Sequence, residues 1–211
     1  MRLLAALAVV LVASACGAKA DQPAPGSTTP PPASPSPSAA RPAALDCAKP
    51  ASDAQRLVCN DQQLGDLDRR LQTAYQQALA RPGADQAALG AAQASWAAAR
   101  DACPQNTDLR SCVLEAYRTR LVQLAVADPA TTQPPVVSYR CPAEDGPLTA
   151  QFYNQFDPPT AVLNWKGNQQ ILFQQPSGSG ARYGRQGAEY WEHQGEVTLH
   201  LGGAEFVCHT S

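Results

Sequence analysis

Pro176-Ser177-Gly178-Ser179-Gly180-Ala181-Arg182-Tyr183 stands between an apolar run, Ile171-Leu172-Phe173, and an aromatic one, Glu189-Tyr190-Trp191. Glycine adopts backbone angles that other residues avoid, and serine brings short hydroxyls that donate and accept. The stretch therefore predicts a tight, exposed loop between two strands. Two readings of it stand open: an ordinary hairpin connection, or a finger that enters a partner's cleft. On either side the apolar residues alternate with a period of two, as in Leu148, Ala150 and Phe152 and again in Val197, Leu199 and Leu201. Strands are expected at Val136–Cys141, Leu148–Tyr153, Thr160–Trp165, Gln170–Gln174, Ala181–Gly184, Glu189–His193, Glu196–Leu201 and Glu205–His209. Turn signals such as Lys166-Gly167-Asn168 and Gly202-Gly203 separate them. Up to eight short antiparallel strands over residues 136–211 predict a compact β-barrel. Cys141 and Cys208 fall on the first and last strands, where a Cys141–Cys208 bond would join the ends that a barrel must close.

Upstream the period changes. Leu57, Leu64, Leu67, Leu71, Tyr75 and Ala78 recur at helical spacing, and Arg81-Pro82-Gly83 breaks the pattern. Leu89, Ala92, Trp96, Ala99 and Cys103 form a second helical face. Pro104 to Thr107 turns the chain, and Leu109, Val113, Tyr117, Leu121 and Leu124 form a third. The fold class is therefore α + β in separate domains: a small helical domain at 46–126, a linker at 127–135 ending in Pro134-Pro135, and the barrel at 136–211. A helical domain of this size buries a modest core, so disulfides are a reasonable supplement. If the chain folds back about Pro82-Gly83, Cys59 and Cys103 each lie about 30–36 Å from the turn along continuous helices. That favours Cys59–Cys103 with Cys47–Cys112. The local alternative, Cys47–Cys59 with Cys103–Cys112, stays open on spacing alone. Trp96 lies on the apolar stripe and reads as core, while Asp66, Asp68, Arg69 and Arg70 read as a solvated helix face.

The first 20 residues read as a targeting segment. Arg2 supplies the positive start, and Leu3–Ala15 is an apolar run too short to span a bilayer. Ala13-Ser14-Ala15 before Cys16 resembles the lipobox of bacterial lipoproteins, in which the cysteine is lipidated. Cleavage after Ala18-Lys19-Ala20 is the other possibility. Residues 21–45, with Pro30-Pro31-Pro32 and Ser34-Pro35-Ser36-Pro37-Ser38, form an extended linker that would tether a folded module to a membrane. The expected location is the cell envelope, as an outer-membrane lipoprotein facing the periplasm. Export implies an oxidising compartment. Setting Cys16 aside leaves six of the seven cysteines, an even number for pairing. No Cys-x-x-Cys pair exists, and His193, His200 and His209 do not cluster with the first four cysteines, so neither a metal nor another cofactor is expected. Net charge is -2 with 16 dispersed Lys and Arg, which argues against nucleic acid as a partner.

The residues between Asp46 and Leu124 resemble the LprI-type domain of secreted bacterial proteins. The resemblance rests on Cys47, Leu57-Val58-Cys59, Leu64-Gly65-Asp66-Leu67-Asp68, Tyr75, Gln93-Ala94-Ser95-Trp96, Arg100-Asp101-Ala102-Cys103, Cys112 and Arg120-Leu121. That family takes its name from a lipoprotein linked to lysozyme inhibition. The last segment is similar to the MliC/PliC family of c-type lysozyme inhibitors. The similarity runs from Tyr139-Arg140-Cys141 to Phe206-Val207-Cys208 and includes Ser177-Gly178-Ser179-Gly180-Ala181-Arg182-Tyr183 and Tyr190-Trp191. It implies that the first loop enters the lysozyme cleft, with Ser177, Ser179, Gly180, Arg182 and Tyr183 as its site residues. Arg182 and Tyr183 also have a structural reading, as a packed stem and a ring on the barrel. In the family a second loop supplies a Lys before a Gly. Here it reads Trp191-Glu192-His193-Gln194-Gly195, so His193 or, with one inserted residue, Gln194 takes the Lys position.

The resemblance implies an envelope-tethered inhibitor that does no chemistry itself. Lysozyme works with two carboxyl groups. Ser179 would hydrogen-bond one of them, and protonated His193 would pair with the other, so binding through His193 would strengthen toward pH 6. From Val136 to Ser211 seven acids face four basic residues, a balance of -3 that would steer the barrel toward a basic lysozyme. The alternative is an envelope lipoprotein that binds peptidoglycan or a protein without inhibiting lysozyme. A glycan hydrolase would need a carboxylate pair, for which Glu189, Glu192 and Asp157 qualify by residue type alone.

Overall fold

The computed structural model describes residues 45–104 and 108–210. The targeting segment, Cys16 and linker residues 21–44 lie outside the described residues. Helices and strands are segregated along the chain: α1 Asp53–Asn60, α2 Gln62–Ala80, α3 Gln86–Asp101 and α4 Leu109–Val126 precede β1 Val137–Arg140, β2 Leu148–Tyr153, β3 Thr160–Trp165, β4 Asn168–Gln174, β5 Ala181–Arg185, β6 Ala188–His193, β7 Glu196–Leu201 and β8 Ala204–Thr210.

Each helix starts on a side-chain cap. Ser52, Asp61, Asp85 and Asp108 accept from the backbone N–H groups of Gln55, Leu64, Ala88 and Ser111. The Asp61 cap separates α1 from α2, although the leucine spacing runs unbroken across it. Its backbone is extended (φ -105°, ψ 118°), so Cys59 sits on a short helix of its own. This corrects the expected pairing of Cys59 with Cys103 and of Cys47 with Cys112. The bonds are Cys47–Cys59 and Cys103–Cys112, both local. The rise count assumed one continuous helix from Cys59 to Pro82, and the break at Asp61 removes that premise. Cys103 and Cys112 instead close the short connection between α3 and α4.

Leu64, Leu67, Leu71, Tyr75 and Ala78 of α2 meet Val113, Tyr117 and Leu124 of α4 in the helical core. Trp96 docks on α4, its Nε1–H donating to the Ala116 carbonyl (2.9 Å) and its ring meeting Tyr117 edge-on. The Tyr117 hydroxyl donates to Asp68 (2.8 Å) and accepts from Arg100 (3.1 Å). Burial pushes the ionisation of Tyr117 well above the ordinary tyrosine range. Asp68, read as solvated, thus ties α2 to α4.

The strands form a closed meander in which β1 pairs with β8. Inward residues include Leu148, Leu163, Tyr183, Tyr190, Leu199 and Phe206, and Cys141–Cys208 is bonded beside the β1–β8 seam. The outer side of β2–β4 is buried too. Tyr153, Val162, Ile171 and Phe173 pack with Val122 of α4, each contributing roughly 1.5–3 kcal/mol. This explains the unbroken apolar run Ala161-Val162-Leu163, which is covered on both faces. The segment after α4 follows β2: Gln151 donates to the Pro134 carbonyl (2.8 Å) and Gln155 to that of Thr132 (3.0 Å). The Glu115 carboxylate accepts from the Gln186 backbone N–H through both oxygens (3.1 Å each).

Candidate functional site

Because successive connections of a meander alternate between barrel ends, the β2–β3, β4–β5 and β6–β7 connections share one end. That topology brings the Ser/Gly loop and the turn after β6 together. The Gln175 N–H donates to the Arg182 carbonyl (2.8 Å) and closes the neck of the loop. Inside it, two donors converge on one acceptor: the Ser177 hydroxyl and the Trp191 indole N–H (3.2 Å) both reach the Ser179 carbonyl oxygen. The loop is therefore pinned, from within and from β6. Among the described residues the Ser179 hydroxyl has no partner, and Ser179 is exposed.

Gly180 sets how closely the two loops approach. Its φ is +69°, and a Cβ placed there would lie 1.8 Å from the Glu192 carbonyl oxygen and 3.3 Å from the His193 Cα. Only glycine combines that angle with that approach. The neighbouring connection is a two-residue turn, Gln194 (φ 53°) and Gly195 (φ 85°), of the type that matches strand twist. The Glu192 carboxylate accepts from the Gly195 N–H (3.1 Å). Gln194 thus stands at the exposed tip immediately before the glycine, while His193 ends β6 with its ring stacked on Trp191 (5.9 Å between centroids).

Arg182 points outward and pairs with Glu189. Tyr183 turns inward, 5% exposed, against Phe152 and Tyr190. Burial raises its ionisation, and it serves the barrel core. Beside the loop, Ser179, Trp191, Thr198 and His200 line an open recess of about 480 Å³. Sequence reading did not find this recess or the outward face that continues from it. The signal was present in the alternate positions Glu189, Trp191 and His193, Glu196, Thr198 and His200, and Glu205, Val207 and His209.

Two abutting loops are thus fixed at one end of the barrel, beside a disulfide-stapled helical part, an arrangement suited to binding. Family models agree: residues 139–206 match "Membrane-bound lysozyme-inhibitor of c-type lysozyme" and residues 47–124 match "Lysozyme inhibitor LprI". Proteins named Lipoprotein LprI from Mycobacterium bovis and from two strains of Mycobacterium tuberculosis are 63% identical over 211 residues, covering 100% of both chains. No solved structure matches. The chain belongs to the LprI lipoprotein family.

Proposed function

We propose that this chain is an envelope-tethered inhibitor of c-type lysozyme and that the barrel end bearing residues 176–183 enters the enzyme's cleft. The observation that carries the reading is the pinned loop abutting the Gln194-Gly195 turn, with an exposed Ser179 hydroxyl that has no partner among the described residues. Both family matches support it. A loop already ordered in the free protein loses little entropy on binding. Ser179 donates to a catalytic carboxyl, and His193 or Gln194 approaches the second. The chain acts by occupation and performs no catalysis. Attachment through Cys16 would hold it at the membrane.

The test is inhibition of a c-type lysozyme by the full chain and by Ser179→Ala. The reading predicts inhibition by the parent and a loss of roughly tenfold or more in the variant, since a hydrogen bond to a charged group is worth about 1.5–3 kcal/mol. Equal inhibition by both would remove Ser179 from the contact. An inactive parent that still binds peptidoglycan would favour the envelope-binding alternative, to which the absence of a lysine from this turn points.

A further inference from the structure

The outer face of the barrel is divided. Helix α4 covers β2–β4, whereas among the described residues the outer face of β5–β8 stays open, with three rows of side chains running straight across the strands. One row is His193, Glu196, His209 and Arg140. The next is Arg182, Trp191, Thr198 and Val207. The third is Glu189, His200 and Glu205. All three histidines of the chain lie here, each directly across from a glutamate. The large exposed apolar residues among those described are Val136, Trp191 and Val207, and the last two (38% and 37% exposed) stand in the middle row. A middle row holding exposed Trp191 and Val207 between charged rows suits a protein-docking surface.

We infer that this face is a second contact for the basic lysozyme of the proposed function, one whose grip weakens as the pH falls. The inference rests on that function. Continuity supports it, since Trp191 both holds the Ser179 carbonyl and stands in the middle row. Charge supports it as well. With neutral imidazoles the three rows carry Glu189, Glu196 and Glu205 against Arg140 and Arg182, one net negative charge, while Arg185 borders the His200 recess. Protons on His200 and His209 alone convert this to one net positive charge. Imidazoles as a class titrate between pH 5 and 8, and like charges across an interface oppose association. His200 faces Glu189 on β6 and Glu205 on β8 (Nδ1 to Oε2 3.9 Å), with Arg182 of β5 on the same recess. His209 faces Glu196 on β7 and Arg140 on β1. His193 faces Glu196 and stacks on Trp191. Being next to the loop, His193 alone acts in the opposite sense, toward the lysozyme carboxylates.

The test therefore leaves His193 in place. Dissociation constants of the full chain for a basic c-type lysozyme are measured at pH 7.5 and 5.5, for the parent and for His200→Gln/His209→Gln. Acidification should weaken the double variant about tenfold less than the parent. Val207→Lys should weaken binding at pH 7.5, and Val136→Lys, outside the three rows, should not. Equal pH responses in parent and double variant would overturn the inference and leave the inhibitor reading intact. An absence of binding at pH 7.5 would overturn both. A dimer of the chain that persists with lysozyme present would assign the face to a second copy and overturn it as well.

Discussion

Gly180 is the residue on which the relation of the two loops depends. A side chain there would meet the Glu192 carbonyl at 1.8 Å, where no flexible group can move aside, and would hold a left-handed backbone angle. Such strain costs on the order of 1–3 kcal/mol, and it falls on the loop while the core residues stay packed. Gly180→Ala is thus expected to lower affinity for lysozyme about tenfold or more while retaining a cooperative melt. Titration calorimetry beside thermal unfolding checks this, and parent-like affinity would mean that the approach of the two loops is irrelevant to binding. Trp191→Phe keeps an aromatic ring but removes the N–H to Ser179, so a loss of only severalfold is expected. The loop's position was legible in the sequence, but which of its side chains face solvent and which the core was less so. Tyr183 belongs to the same motif as Ser179, yet it pairs in register with inward-facing Tyr190. Strand parity, which the motif does not carry, decides its direction.

At the scale of elements, the strands were readable to within a residue or two, the half-exposed ones because they alternate strictly, as β7 does with Val197, Leu199 and Leu201 inward, and doubly covered β3 because turn residues bound its apolar run. The α1–α2 break was not legible. Leu57 and Leu64 keep helical spacing across it, and only the extended backbone at Asp61 reveals the interruption. The resulting pairing has a direct check. Peptide mapping without reductant should recover Cys47 with Cys59 and Cys103 with Cys112, and a Cys59–Cys103 peptide would contradict the structure. The covering of β2–β4 by α4 makes a second prediction. Val162 and Thr198 both point outward, but only Val162 is buried under the helix. Val162→Asp should destabilise the protein by about 3 kcal/mol or more, as a buried, unpaired carboxylate does. Thr198→Asp should change stability by less than about 0.5 kcal/mol. Denaturant unfolding of both variants decides it, and similar values for the two would mean that α4 does not seal that side.

For the whole molecule, the helices and the barrel meet through an apolar cluster and through Glu115, which receives the Gln186 N–H. Partial burial raises the Glu115 carboxyl above its ordinary range, outweighing the lowering by the Gln186 hydrogen bond, Arg185 and Arg118. A carboxyl raised on folding contributes stability that is full below its unfolded pKa and is lost as pH rises through the folded value. Glu115→Gln keeps an acceptor for Gln186 and removes the charge. It should therefore melt at or above the parent temperature at pH 7, with the difference vanishing near pH 3.5. A variant less stable at pH 7 would show that the charge itself holds the contact. None of this joining was legible in the sequence, because residues 127–135 read as a linker and no local pattern says that β2–β4 lie beneath a helix. The most direct test of the central claim is hydrogen–deuterium exchange of the full chain with and without a c-type lysozyme. Protection confined to residues 176–181, 193–195 and the adjoining open strands is predicted. Protection of the helices with the barrel end unchanged would contradict the assignment of that end to the enzyme's cleft.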